Sequence, residues 1–379
     1  MLSHLRFSSD QSLGRRYPEP EHEYRNPFQR DRDRIVYSRA FRRLENKTQV
    51  FAPGLSDHFR NRLTHTIEVA QVARTVAGVL GLNEDLTEAL ALVHDVGHPP
   101  FAHAGEEALD REMQRFGERF NHNVQSLRLV DTLERRYPRF PGLNLTFEVR
   151  EGIVKHSRDL TPGESPVLDH YLPELRPPLE AQLIDLADEV AYNAADLDDA
   201  FEAGLLRPAD IAAEVPVYAA ILDMVETSFP GAAERERFQE SVRHLTDGLV
   251  SGLIEGTVAA ARDSGATDVE AVRHLPSRIV RFTSQAAATS VDLKRFLHKH
   301  VYSSDALAED RRRSMERLAR LFEYLMAHPD FLPGNDGTGG NDGNDGNAPE
   351  PKSLHRAVCD YIAGMTDGYF LRVYTALLC

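Results

Sequence analysis

The chain has 379 residues, 41% hydrophobic and 27% charged, with a net charge of −15; this is a globular composition, and the charge argues against bulk attraction to nucleic acid. Only two cysteines occur, Cys359 and Cys379, which excludes a disulfide framework or a thiolate metal cluster. No apolar run is long enough to span a bilayer and the opening M-L-S-H-L-R-F-S-S-D lacks a signal-peptide core, so the expectation is a cytoplasmic protein with no membrane partner.

In chain order, residues 1–24 are polar, Pro-bearing and expected to be irregular. Segment 25–47 is a basic strip (Arg25, Arg30, Arg32, Arg34, Arg39, Arg42, Arg43, Lys47) that also carries Ile35, Val36, Tyr37, Ala40, Phe41 and Leu44. It reads either as a docking strip for a small polyanion or as a solvated helix whose Asp–Arg pairs satisfy each other. Asn61 is placed to cap a helix ending at Gly81, with His65 at the head of a Val69–Val72–Val76 stripe and therefore facing inward. Asn83 caps the next helix, which breaks at His94-Asp95 against Gly97, Pro99 and Pro100. Further helices are predicted at about 104–116, 121–136, 147–156, 178–203, 208–228, 232–263, 268–283, 290–298, 305–328 and 353–378. The β-branched alternation of a sheet is nearly absent, so the chain is read as all-α. The Gly/Asn/Asp-rich segment 334–351 is too polar to join a core and reads as a disordered loop; it lacks the closing Glu of a calcium-binding EF-hand.

His94-Asp95 offers two adjacent ligands of different charge, and His65 and Asp188 complete an ordered set His…His-Asp…Asp, each member on a helix. Imidazole nitrogen with carboxylate oxygen suits Mn, Mg, Fe, Co or Zn. Asp185, Asp188, Tyr192, Asp196 and Asp199 recur at offsets of three or four, so they share one helix face. Such a stripe is either solvated or, if inward, requires a cation or a basic ligand. His94, His98, His103 and His122 fall in fewer than thirty residues, and Glu106 stands three residues past His103, within reach of a hydrogen bond that would orient the imidazole. There is no Walker phosphate loop, no G-x-G-x-x-G after a strand, no H-E-x-x-H and no G-x-S-x-G. Any phosphate chemistry must therefore use metal, arginine and histidine.

These residues resemble the HD-domain phosphohydrolases, and the flanking sequence is similar to the bacterial dGTPase-like deoxynucleoside triphosphate triphosphohydrolases. The likeness is carried by R-I-V-Y-S-R-A-F-R-R-L-E-N-K-T-Q-V-F (34–51), R-N-R-L-T-H-T-I-E-V-A-Q-V-A-R (60–74), H-D-V-G-H-P-P-F-A-H-A-G-E (94–106), F-N-H-N-V-Q-S-L-R (120–128), E-G-I-V-K-H-S (151–157), L-I-D-L-A-D-E-V-A-Y-N-A-A-D-L-D-D (183–199) and D-Y-I-A-G-M-T-D (360–367). The resemblance implies a helical HD core over 25–203, a helical region over 204–333 completing the substrate site and oligomer contacts, and a C-terminal helix over 352–379. It implies that His65, His94, Asp95 and Asp188 ligate one divalent metal, Mn or Mg first, and that His103 and Glu106 are the catalytic pair. It further implies phosphate contacts from His98, His122, Arg62 and Lys155, sugar contacts from Gln49 and Val50, and substrate-site roles for Tyr192 and Asp196. The implied substrate is a dNTP, cleaved to deoxynucleoside and triphosphate. Implied partners are an allosteric dNTP and copies of the same chain, a hexamer foremost, with single-stranded nucleic acid on the basic strip as an alternative. Gly368 and segment 334–351 depart from the family pattern.

Overall fold

Local capping chemistry sets most of the helix boundaries. The structure, a computed structural model, describes residues 1–51, 58–332 and 353–379. Two short helices, α1 (Pro27–Val36) and α2 (Arg39–Arg43), precede α3 (Arg62–Leu80) and α4 (Glu84–Val93). The Asn61 side chain accepts the Thr64 amide at 3.0 Å to open α3, and Gly81 closes it at φ 78°, where a Cβ would be strained. Asn83 caps α4 through the Leu86 amide at 3.2 Å. Then come α5 (Ala102–Gln114), α6 (His122–Arg128) with a π-helical turn to Leu133, α7 (Phe147–Val154), the single turn α8 (Pro166–Asp169) and α9 (Leu179–Glu202). The second half holds α10 (Pro208–Glu214), α11 (Pro216–Ser228), α12 (Glu234–Ser264), α13 (Val269–Arg273), α14 (Ser284–Leu297), α15 (Asp305–Ala327), α16 (Leu354–Ala363) and α17 (Asp367–Leu378). Among the described residues there is no β-strand, only isolated bridges such as Thr48 with Asn61, and the all-α reading holds. No helix among them is long and apolar enough to cross a membrane.

Three sequence expectations change. The helix expected over 208–228 is two, because Pro216 has no N–H to continue the first and Val215 is extended. The one expected over 268–283 stops at Arg273; Pro276 follows, and the amides of Ile279 and Val280 bond instead to the Gln182 side chain, at 3.0 and 3.5 Å. The C-terminal helix is also two, divided at Gly364–Thr366. Residues 1–24, expected to be irregular, hold two 3-10 turns, Ser3–Leu5 and Ser9–Gln11, and Leu2, Leu5 and Phe7 are buried. The segment 334–351 lies outside the described residues.

Helices α3, α4 and α9 pack on one another, and the largest core runs without a break from Phe7 to Val301, taking in α12 and α14. Core residues thus lie on both sides of position 203. A second core joins Ala108, Leu109 and Met113 of α5 to α15, α16 and α17, so the C-terminal helices brace the helix that carries His103 and Glu106. The basic strip uses most of its apolar residues internally: Ile35, Ala40, Phe41 and Leu44 are buried, whereas Val36 and Tyr37 are exposed. Its arginines pair mainly beyond their own turns, Arg32 with Glu88 and Arg34 with Glu19, rather than at i,i+3 and i,i+4.

Candidate metal centre and phosphate pocket

His65 lies in the first turn of α3, His94 and Asp95 follow the last turn of α4, and Asp188 is in the middle of α9, so the three packed helices bring the set together. His65 Nε2 is 2.9 Å from Asp188 Oδ1; His94 Nε2 is 3.6 Å from Asp95 Oδ1 and 4.0 Å from Asp188 Oδ1. Donors sharing one ion at about 2.1 Å stand roughly 3–4 Å apart, so these separations fit a single divalent metal. His94 Nδ1–H donates to the Ala91 carbonyl at 2.6 Å, which fixes the tautomer and leaves Nε2 buried without a protein partner. An orphaned buried nitrogen aimed at two carboxylates is what a cation would satisfy. Burial disfavours charge on His94 and lowers its pKa. Burial works the same way on His65, but the Asp188 hydrogen bond and charge outweigh it and raise that pKa. Burial likewise opposes ionised Asp95 and Asp188; Arg62 and the neighbouring histidines hold Asp95 well below the usual range, and His65 holds Asp188 at about 2. Both carboxylates are thus anionic, as ligands must be.

A second layer of imidazoles continues from this cluster. His98 Nε2 lies 3.2 Å from Asp95 Oδ1, and its ring stacks on His122 with centroids 3.9 Å apart. Glu106 Oε1 accepts both the His122 amide, at 2.9 Å, and His122 Nδ1, at 2.8 Å. The direct His103–Glu106 hydrogen bond read from the spacing is absent: Nδ1 stands 3.7 Å from Oε2, and the His103 side chain is 79% exposed. Glu106 instead bonds to His122, the first residue of α6. Desolvation opposes charge on Glu106, but His103 and His122 hold its pKa far below the usual range. Close backbone approach makes the arrangement possible: a Cβ on Gly97 would sit 2.3 Å from the His122 carbonyl, and one on Gly105 would sit 1.9 Å from the Pro100 carbonyl.

The other predicted contacts divide. Arg62 is buried and donates from Nη1 to Asp95, while its Nε has no hydrogen-bond partner. Lys155 is buried too, and its ammonium donates to Glu151 at 2.7 Å and to the Leu172 and Leu175 carbonyls at 2.9 and 2.8 Å. All three donors are used, which removes it as a triphosphate contact. Gln49 and Val50 follow Lys47, whose carbonyl accepts the Arg62 amide at 3.1 Å, so the sugar-site segment is tied to the start of α3; Gln49 Oε1 is buried and unpartnered. Tyr192 is half-buried one turn beyond Asp188. Asp196 is buried and accepts the Tyr302 hydroxyl. The acidic face of α9 is not one cation site: Asp185 pairs with Arg278 and stands 2.8 Å from His156, Asp199 pairs with Arg60, and Asp188 turns to His65 and His94.

Sequence reasoning missed His156, Tyr302, Lys47 and Asp367. His156 is buried with its ring 5.3 Å from that of His94. Its one sequence signal was its place in E-G-I-V-K-H-S, where the adjacent lysine drew the assignment.

Comparison with known proteins agrees with this geometry. Residues 62–193 match the HD domain, and residues 280–376 match the phosphohydrolase-associated domain. A deoxyguanosinetriphosphate triphosphohydrolase-like protein of Geobacter sulfurreducens is 42% identical over 97% of this chain and 93% of its own length. Proteins of the same description from Brucella anthropi and Rhodopseudomonas palustris are 44% and 41% identical, each over 97% of this chain and over 92% and 94% of their own lengths.

Proposed function

The chain belongs to the HD-domain family of deoxyguanosinetriphosphate triphosphohydrolase-like proteins, and on that premise we propose that it hydrolyses a dNTP to deoxynucleoside and inorganic triphosphate. The observation that supports this most is the unpartnered His94 Nε2 facing two anionic carboxylates beside the stacked His98–His122 pair. His65, His94, Asp95 and Asp188 would hold one divalent ion, Mn or Mg first, with Fe, Co and Zn as alternatives. A bound divalent ion supplies Lewis-acid polarisation of a phosphoryl oxygen and a lowered pKa for water. The chain's own residues do the rest. Arg62 holds Asp95 in its ionised, oriented form. Glu106 fixes the His122 ring by its Nδ1, leaving Nε2 to hold or donate a proton at the phosphate. His98, stacked on His122, fills the space between the metal ligands and that ring. His103, exposed beside Glu106, is placed to meet an incoming phosphate.

Gln49 and Val50 are proposed to line the sugar, with Tyr192 and Asp196 on its other side. A 2′-hydroxyl pressed against such a wall has no partner, which favours deoxyribose. An aqueous cytoplasmic setting, a homo-oligomer with a hexamer foremost, and a second, regulatory dNTP belong to the same reading. Chromatography of the products from each dNTP and from GTP, with Mn or Mg, tests it. The expected result is triphosphate from one or more dNTPs and little from GTP; release of monophosphate or pyrophosphate instead would favour another nucleotide phosphohydrolase.

A further inference from the structure

Three overlapping groups of ligand atoms run through the metal cluster, one of them Asp95 with His98 and His122. His65, His94 and Asp95 present one set, and His94, His156 and Asp188 present another, with the atoms of each set within 4.8 Å of one another. The second set cannot describe a separate ion. His94 has only one free nitrogen, since Nδ1 is bonded to the Ala91 carbonyl, and an imidazole lone pair serves one metal. Both sets therefore converge on the same point, and we propose that His156 is a fifth protein ligand of that ion, giving three imidazoles and two carboxylates. The inference rests on the reading that the cluster holds a divalent metal.

The surroundings of His156 are those of a ligating histidine. It ends the K-H-S turn after α7 and is buried; Nδ1 stands 2.8 Å from Asp185 Oδ1 without good alignment, and Nε2, the nitrogen left for a metal, has only the Ser157 hydroxyl at 3.5 Å. That oxygen accepts the Ser157 amide at 2.8 Å, and the other oxygen of Asp185 pairs with Arg278. Arg278 also donates to the Lys155 and Arg158 carbonyls, at 2.6 Å to the first, so the whole turn carrying His156 is clamped from behind. Metal-bound imidazoles are characteristically backed by a carboxylate that is itself fixed. A packing histidine would need neither the clamp nor the proximity to His94. Three nitrogen donors also bias the site toward Mn, Fe, Co or Zn over Mg, which keeps oxygen ligands and several waters.

The test uses the full chain, stripped of metal and reloaded with Mn²⁺. Pulsed EPR on protein labelled with ¹⁵N-histidine counts coordinated imidazoles, and titration gives the Mn²⁺ Kd. The expected count is three in the wild type and two in His156→Gln, with Kd raised at least about tenfold in the variant. The wild-type count needs no variant and is decisive if His156→Gln fails to fold. Two imidazoles in the wild type, or an unchanged Kd in a folded His156→Gln, overturns the fifth ligand while leaving the four-ligand site standing. Absence of any specific Mn²⁺ binding by the wild type would instead overturn the metal reading itself.

Discussion

Asp95 has two jobs, and a substitution can separate them. It faces the metal position, and it neutralises Arg62, whose side chain is only 3% exposed. Asp95→Asn and Asp95→Ala should both lose metal, but only the alanine leaves the guanidinium with no acceptor, at about 3–5 kcal/mol. The expected outcome is equal loss of metal by elemental analysis with a clearly lower Tm for Asp95→Ala; equal Tm values would show that Arg62 finds another partner. Glu106 favours His122 over His103, so His122→Ala should lower kcat by about 10²–10⁴-fold with metal retained, while His103→Ala should act more through KM. Steady-state kinetics decide, and a His122→Ala enzyme of normal kcat contradicts the assignment. Asp196 titrates in the opposite sense to most aspartates, since burial raises its pKa to about 7 despite the Tyr302 hydroxyl. Between 3.8, the ordinary aspartate value, and about 7 the unfolded chain binds fewer protons than the folded one, so this group's contribution falls as pH rises through that window and is level above it. Asp196→Asn should therefore gain Tm relative to wild type between pH 5 and pH 8, by thermal melts at matched ionic strength. No gain at pH 8 would mean that Asp196 is ionised in the fold without penalty.

At the scale of elements, the first turn of α17 ties together the two segments that shape the pocket. Asp367 accepts the Thr48 amide at 2.8 Å and the Thr48 hydroxyl, and also the Phe101 amide at 3.0 Å. Lys47, fully buried, donates to the His98 carbonyl and to that of Ala363, at 3.1 Å for the latter. Phe101 and Ala102 adopt φ of 63° and 54°, left-handed values that cost non-glycine residues roughly 1–2 kcal/mol each, and the Asp367 bond helps hold that turn ahead of His103. Asp367→Ala should lower stability by about 2–4 kcal/mol and reduce kcat/KM while metal content stays normal. Denaturant melts with metal analysis check this; loss of metal along with activity would mean that the damage reaches α4. The M-T-D motif was legible as a likeness to known sequences, but a contact across more than 300 positions was not, because local propensity carries no information about which distant loop a carboxylate will meet.

For the whole molecule, the assembly proposed from the basic strip has less apolar surface than the sequence suggested. Most of that strip is in the chain's own core, leaving Val36 and Tyr37, 38% and 63% exposed, beside the exposed Arg39 and Arg42. Light scattering at micromolar concentration should still show a homo-oligomer, and Tyr37→Glu should weaken it if this edge is the contact. A strict monomer of full activity, with and without dNTP, would defeat the proposal.

The sequence by itself determined the helical class, the Asn61 and Asn83 caps, the Gly81 stop and the His65–His94–Asp95–Asp188 set. The caps and the stop depend on a residue's intrinsic backbone preference and the helical class on spacing along each helix, which are local signals; the four-residue set, spread over α3, α4 and α9, was read from its order along the chain and its likeness to the HD-domain motif. Only the tertiary structure decided that Glu106 bonds to His122, that Lys155 is consumed by Glu151 and two carbonyls, and that His156 stands beside His94. The physical reason is shared. A buried polar atom takes the partner that packing brings nearest, and packing joins helices far apart in the chain, so the partner of a carboxylate or an ammonium is a property of the assembled core.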